Sequence, residues 1–380
     1  MKPLLFTDLL GQLIAQPSIS SANPALDVSN RPVIDLLANC LQELGFSIEI
    51  QELPGNKANL IATLGSGPHG LVLAGHTDTV PCDAPLWASD PFALTDRDQR
   101  FYGLGTTDMK GFFAVAIEAI KDLDLQTLRQ PLIILATADE ESSMAGARAL
   151  TQAKTLQARY AIVGEPTNLK PVRMHKGVMM ESVRLQGQSG HSSNPALGRS
   201  ALDAMHLVIA ELMQLRQQWG KRYQNPAFDV AVPTLNLASI HGGDAPNRIC
   251  QHCELRFDVR LLPGMQNDEV RHSVRQAIDS SLIGSGITAN CESLFAGVEA
   301  FIEPAEHELI QTVERLTGYS SGSANFATEA PFLQSLGMQT VVLGPGSIDC
   351  AHQANEYLAH DQIKPAIALL KNLIGTYCIN

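Results

Sequence analysis

Five stretches of this 380-residue sequence place a carboxylate or an imidazole just beyond a short apolar run, or in a loop entering a helical pattern. They are His76-Thr77-Asp78, Asp108, Asp139-Glu140-Glu141, Glu165 and His352. Open α/β sheets gather their ligands beyond the carboxyl ends of the strands, so separate segments can deliver these groups to one crevice. Several anions packed there would repel one another unless cations sat among them. Two divalent metals bridged by one carboxylate, about 3.5 to 4 Å apart, answer that need, and mixed His and carboxylate donors suit zinc. Each residue also has an ordinary reading. Asp108 could cap the helix that follows, Glu140 and Glu141 could be first-turn acids, Glu165 before Pro166 a turn carboxylate, and His76 and His352 loop histidines. One metal site accounts for all five together.

The elements that must position these groups are legible as patterns. The apolar runs LVLAG (71–75), LIILAT (132–137), YAIVG (160–164) and TVVLG (340–344) are β-rich and suit strands buried on both faces of a largely parallel sheet. GFFAVAIEAIKDL and SMAGARALTQA have helical spacing and supply covers, as do stretches from about Pro3 to Gln16 and Arg31 to Leu44. FSIEIQEL and ANLIATLG read as strands. The middle of the chain alternates instead, in MESVRLQGQ and CELRFDVRLL, beside long amphipathic stretches over Ser200–Trp219 and Asn267–Ile283. Alternation means one wet face, so an α+β domain is expected at 178–292, inserted between the halves 1–177 and 293–380 of an α/β catalytic domain.

Composition narrows the function classes. With 27 Lys+Arg against 39 Asp+Glu the net charge is −12, which argues against nucleic-acid or anionic-membrane partners. Seven cysteines, an odd number in a chain large enough to bury a core, point to reduced thiols and a cytoplasmic compartment. No apolar run reaches the ~18 to 20 residues that span a bilayer. Three motifs mislead. Gly65-Ser66-Gly67-Pro68-His69-Gly70 fits G-x-G-x-x-G but carries a proline and precedes a strand, where a dinucleotide site needs a helix. Cys250-Gln251-His252-Cys253 lies in an alternating strand and lacks a second pair to complete a tetrahedron. Ser192 and Ser193 follow His191, but no G-x-S-x-G elbow is present.

The segments GHTDTVP, YGLGTTDMKG, TADEESSMAGA, VGEPT, HKG, SGHSS, GGDAPNRIC, FATEAPFL and LGPGSIDCAHQANEYL resemble, in this order, the dinuclear-zinc amidohydrolases of the aminoacylase and carboxypeptidase type. The resemblance implies a zinc-peptidase-like catalytic domain, with a mostly parallel mixed sheet flanked by helices. It also implies an inserted ferredoxin-like dimerisation or lid domain. His76, Asp108 and Glu165 would hold one metal and Asp108, Glu141 and His352 the other, with two zinc ions per subunit and cobalt as a substitute. Asp78 would hydrogen-bond the His76 imidazole. Glu140 would be left as general base, taking a proton from water activated between the metals, and the opposite orientation of neighbours in a strand-like segment would separate it from Glu141. His191 and Asn247 match positions that in relatives reach into the active site, often from the partner subunit of a homodimer, Arg260 one that binds a substrate carboxylate, and Glu329 could meet an ammonium. HKG, GGDAPNRIC and FATEAPFL favour the branch that cleaves N2-acetyl-L-ornithine for arginine biosynthesis. The alternatives are succinyl-diaminopimelate cleavage, broad aminoacylase or dipeptidase activity, and a non-catalytic binding protein.

Overall fold

The computed structural model describes residues 5–154 and 156–379. The chain forms two compact units, Met1–Arg173 with Glu303–Gly322 and Thr328–Asn380, and Met174–Ile302 with Ser323–Ala327. The four apolar runs become strands of the first unit. Leu71–His76, Leu132–Thr137 and Tyr160–Pro166 are buried along their whole length, and Gln339–Gly344 from Thr340 onward. They pair in parallel: Leu71–His76 lies between Leu132–Thr137 and Tyr160–Pro166, and Gln339–Gly344 follows. Ser47–Leu53 and Lys57–Leu64 extend one side antiparallel, and Val172 pairs antiparallel with Val342 on the other. The fold is therefore mixed α/β with a parallel centre.

Helices exist here because their apolar stripes have a sheet to cover. Phe6–Ile14, Arg31–Glu43, Lys110–Lys121, Glu308–Thr317 and His360–Ile374 share one core with Leu73, Ile134, Ile162 and Val341. Each such side chain removed from water contributes roughly 1.5 to 3 kcal/mol, which makes the strand ends a rigid platform. The first helix begins at Phe6; Pro3, where the sequence pattern starts, lies outside the described residues. Gly164 lets the platform close on the Lys110–Lys121 helix, since a Cβ there would stand 2.2 Å from the Phe112 ring.

In the second unit, four antiparallel strands, Thr234–Gly242, His252–Leu261, Gly177–Gln186 and Thr288–Ser293, form a sheet in that order. Met205, Val208 and Leu212 from the Ala201–Arg222 helix share a core with Val270, Val274 and Ile278 from Asn267–Ser281, and with Val183, Leu255, Phe257 and Val259 from the strands. The alternation is broken in Thr234–Gly242 by an irregular register between Leu237 and Ser239. Cys253 is buried and His252 exposed, as alternation demands, so this pair does not converge on a metal. All seven cysteines are free thiols. Among the described residues no helix is long and apolar enough to cross a membrane.

This unit also carries a pH-sensitive group outside the five motifs. His175 is buried beside Phe301, with Nδ1 2.9 Å from the Lys176 carbonyl oxygen, and burial pushes its pKa from 6.5 down to about 4. The folded chain then binds fewer protons than the unfolded chain between those values. Stability present above pH 6.5 is lost as the pH falls towards about 4, by about 3 kcal/mol for this group. Urea midpoints of wild type and His175→Gln between pH 7 and pH 4 are expected to converge as the pH falls. Parallel pH dependences would remove His175 from this role.

Candidate metal centre

The functional side chains leave strand ends, as His76 and Glu165 do, or the loops between elements, as Asp108, Glu140, Glu141 and His352 do. His76 closes Leu71–His76, Glu165 is the penultimate residue of Tyr160–Pro166, and both are buried. Asp108 is no helix cap, because the helix begins at Lys110 and Met109 takes the N-cap position. Glu140 and Glu141 precede the Ala145–Ala153 helix in a turn closed by Ser143 and Met144 N–H groups donating to the Asp139 carbonyl. That corrects the strand-like segment expected for them. Asp139 itself has φ +61°, a left-handed conformation that costs a non-glycine residue free energy unless its surroundings hold it. The reversal of the chain in this turn, rather than strand alternation, separates the two glutamates.

His76 Nε2 lies 3.1 Å from Asp108 Oδ1 and 3.9 Å from Glu165 Oε1. His352 Nε2 lies 3.3 Å from Asp108 Oδ2 and 3.0 Å from Glu141 Oε1. The two carboxylate oxygens of Asp108 thus face different imidazoles. His76 with Asp108 and Glu141, and His76 with Glu140 and Glu165, each bring possible ligand atoms within 4.8 Å of one another. Asp78 does not use its carboxylate to orient His76. The imidazole Nδ1 is 2.9 Å from the Asp78 main-chain carbonyl, while Asp78 Oδ1 is 3.8 Å away. The Asp78 carboxylate instead accepts the N–H groups of Glu140, at 3.2 Å, and Glu141, at 3.1 Å. It fixes the turn.

The electrostatics are those of a crowded anion site. Burial, with Glu165 close by, pushes the Glu140 carboxyl well above the usual range; burial and the Asp108 charge do the same to Glu165. Against the upward push of burial, hydrogen bonds to His352 and His76 hold Asp108 well below that range. Hydrogen bonds to Asp108 and Glu141 raise the pKa of half-exposed His352 to about 10. Protons on imidazoles and buried glutamates are a costly way to balance these charges, whereas divalent cations accept the same lone pairs. The donor set of two imidazoles and several carboxylates fits such ions.

Glu329 shares this region. It is buried, Oε2 accepts the Thr137 hydroxyl at 2.8 Å, Oε1 has no hydrogen-bond partner among the described residues, and burial raises its pKa to about 7. The remaining expected residues belong to the second unit. The segments carrying exposed His191 and Asn247 run side by side there, with the Ser192 N–H donating to the Asn247 carbonyl at 3.1 Å and a bridge between His191 and Arg248. Arg260 is half-buried and its Nε donates to Asp258 Oδ1 at 3.2 Å.

Sequence reasoning missed two supports. Buried Lys57 reaches both Asp27 and Asp139, with Ser20 donating to Asp139 at 2.7 Å, so two distant segments hold the strained turn residue. Buried Glu356 accepts the N–H groups of Gly105, Thr107 and Asp108. A buried charge needs partners, but no local spacing names them.

Residues 72–376 match the family described as Peptidase family M20/M25/M40. The chain is 46% identical over 377 residues to the acetylornithine deacetylase of Photorhabdus laumondii subsp. laumondii, covering 99% of this chain and 98% of the relative. It is 48% identical over 375 residues to that of Klebsiella pneumoniae (strain 342), covering 98% of each. The fold resembles an M20 family metallo-carboxypeptidase from Sulfolobus solfataricus, at 18% identity, TM-score 0.76 and coverage of 98% and 99%. It also resembles a dinuclear metal binding M20 peptidase of Bacillus subtilis, at 15% identity, TM-score 0.65 and coverage of 98% and 99%. With the family match running through every segment that carries the converging imidazoles and carboxylates, the chain belongs to peptidase family M20/M25/M40.

Proposed function

We propose that this chain is a metal-dependent amidohydrolase that converts N2-acetyl-L-ornithine to L-ornithine and acetate, a cytoplasmic step of arginine biosynthesis. The observation that carries this reading is the end-to-end identity of 46% and 48% to two acetylornithine deacetylases, in a chain whose His and carboxylate groups converge. His76, Asp108 and Glu165 are assigned to one metal and Asp108, Glu141 and His352 to the other, zinc in both places with cobalt able to replace it. Bound divalent ions supply Lewis acidity towards the amide carbonyl and lower the pKa of water. Glu140 takes the proton of the attacking water and passes it to the leaving amine. Asp78 keeps Glu140 and Glu141 in place through their N–H groups. His191 donates to the developing oxyanion, and Asn247 belongs to the same substrate site. Residues 178–292 are assigned as the dimerisation and lid domain of a homodimer.

Arg260 is assigned to the substrate carboxylate, which a guanidinium binds in bidentate fashion, and Glu329 to the side-chain ammonium. The unpartnered Oε1 of Glu329 supports that assignment. Rates on N2-acetyl-L-ornithine, succinyl-diaminopimelate, acetylmethionine and simple dipeptides test the substrate. Acetylornithine is expected to lead by ~10² or more in kcat/KM, and equal turnover of all four would defeat the narrow assignment. Glu329→Gln is expected to cost ~10 to 100-fold in kcat/KM on acetylornithine, the size of a hydrogen bond to a charged group, and under ~3-fold on acetylmethionine. Equal losses on both would give Glu329 another job.

A further inference from the structure

We propose that Glu356 is a positioning residue that sets the spacing of the two ligand-bearing segments around Asp108 and His352. The inference rests on the metal reading above. Glu356 Oε1 alone accepts three main-chain N–H groups, from Gly105 at 3.0 Å, Thr107 at 2.8 Å and Asp108 at 3.0 Å. The same residue's carbonyl accepts the Gly103 N–H at 3.1 Å, and the Thr107 hydroxyl donates to the neighbouring Tyr357 carbonyl. The loop that turns Asp108 towards both imidazoles is therefore hung from one side chain.

That side chain lies only four residues beyond His352, whose φ of +57° is a strained conformation for a non-glycine residue. Segments some 250 residues apart in the chain are thus tied at the main chain of Asp108, whose Oδ2 lies 3.3 Å from His352 Nε2. Side chains that orient metal ligands from behind are worth ~10 to 100-fold in metal affinity when removed. The chemistry asked of Glu356 is acceptance of hydrogen bonds. A glutamine retains an oxygen for the same three donors, whereas alanine leaves them unmet and aspartate withdraws the acceptor by one methylene.

The test titrates the metal-free full chain with cobalt and with zinc against a chromophoric chelator, recording the cobalt visible spectrum and the melting temperature of each apo protein. Glu356→Ala and Glu356→Asp are expected to weaken binding by ~10 to 100-fold and to alter the cobalt spectrum, with Glu356→Gln within ~3-fold of wild type and spectrally unchanged. Wild-type affinity and spectrum in Glu356→Ala would overturn the proposal; should that variant not fold, equal affinities in the Asp and Gln variants would overturn it instead. A wild-type chain that bound neither metal would sink the metal reading itself, and this inference with it.

Discussion

Replacing Glu140 with alanine is expected to lower kcat by ~10² to 10⁴, the usual size of a general-base contribution, with metal content close to wild type. The geometry makes the second readout decisive. Glu140 lies within reach of a site shared with His76 and Glu165, so it has the position of either a base or a ligand. Its pKa, pushed upwards by burial and by Glu165, suits a group that must hold a proton between two steps once the local charge is balanced. Metal analysis of the purified variant separates the roles: loss of one equivalent makes Glu140 a ligand, and retained turnover removes it from catalysis.

Stripping the chain with a chelator is expected to abolish at least ~10³ of the rate. That corresponds to about 4 kcal/mol of transition-state stabilisation, within the several kcal/mol that a Lewis-acidic ion contributes. Zinc or cobalt added back should restore it. The same treatment should shift the apo protein's melting temperature downwards, because ions that bind only the folded chain stabilise it and, here, relieve repulsion among Asp108, Glu141 and Glu165. Hydrolysis by chelated, metal-free protein at the untreated rate would overturn the metal reading. A melting temperature independent of metal would argue that the protons on His352 and the buried glutamates already balance the site.

The ordinary readings of the five motifs are separated by burial and by element boundaries. A capping Asp108 would have to adjoin the first helical residue, but Met109 intervenes. A turn carboxylate at Glu165 would be wet, but it is buried inside a strand. First-turn acids at 140 and 141 would belong to a helix that begins only at Ala145. The sequence pattern could place His76 and Glu165 at strand ends because hydrophobic runs of that length have few alternatives in an α/β chain. It could not place the turn at Asp139, because a left-handed residue there depends on Lys57 and Ser20, which lie 82 and 119 positions away.

The order of apolar runs, the alternating middle and the residue types in nine short segments were enough, alone, to identify the mixed α/β class and the candidate ligands. Those features are local or periodic, and hydrophobic burial acts on them wherever the chain goes. The tertiary structure alone decided which oxygen meets which nitrogen: both sides of Asp108 on different imidazoles, Asp78 on the turn amides rather than the ring, and Glu356 behind the Asp108 loop. Hydrogen bonds depend on tenths of an ångström and on partners hundreds of residues apart, and that information exists only once the strands have been brought side by side.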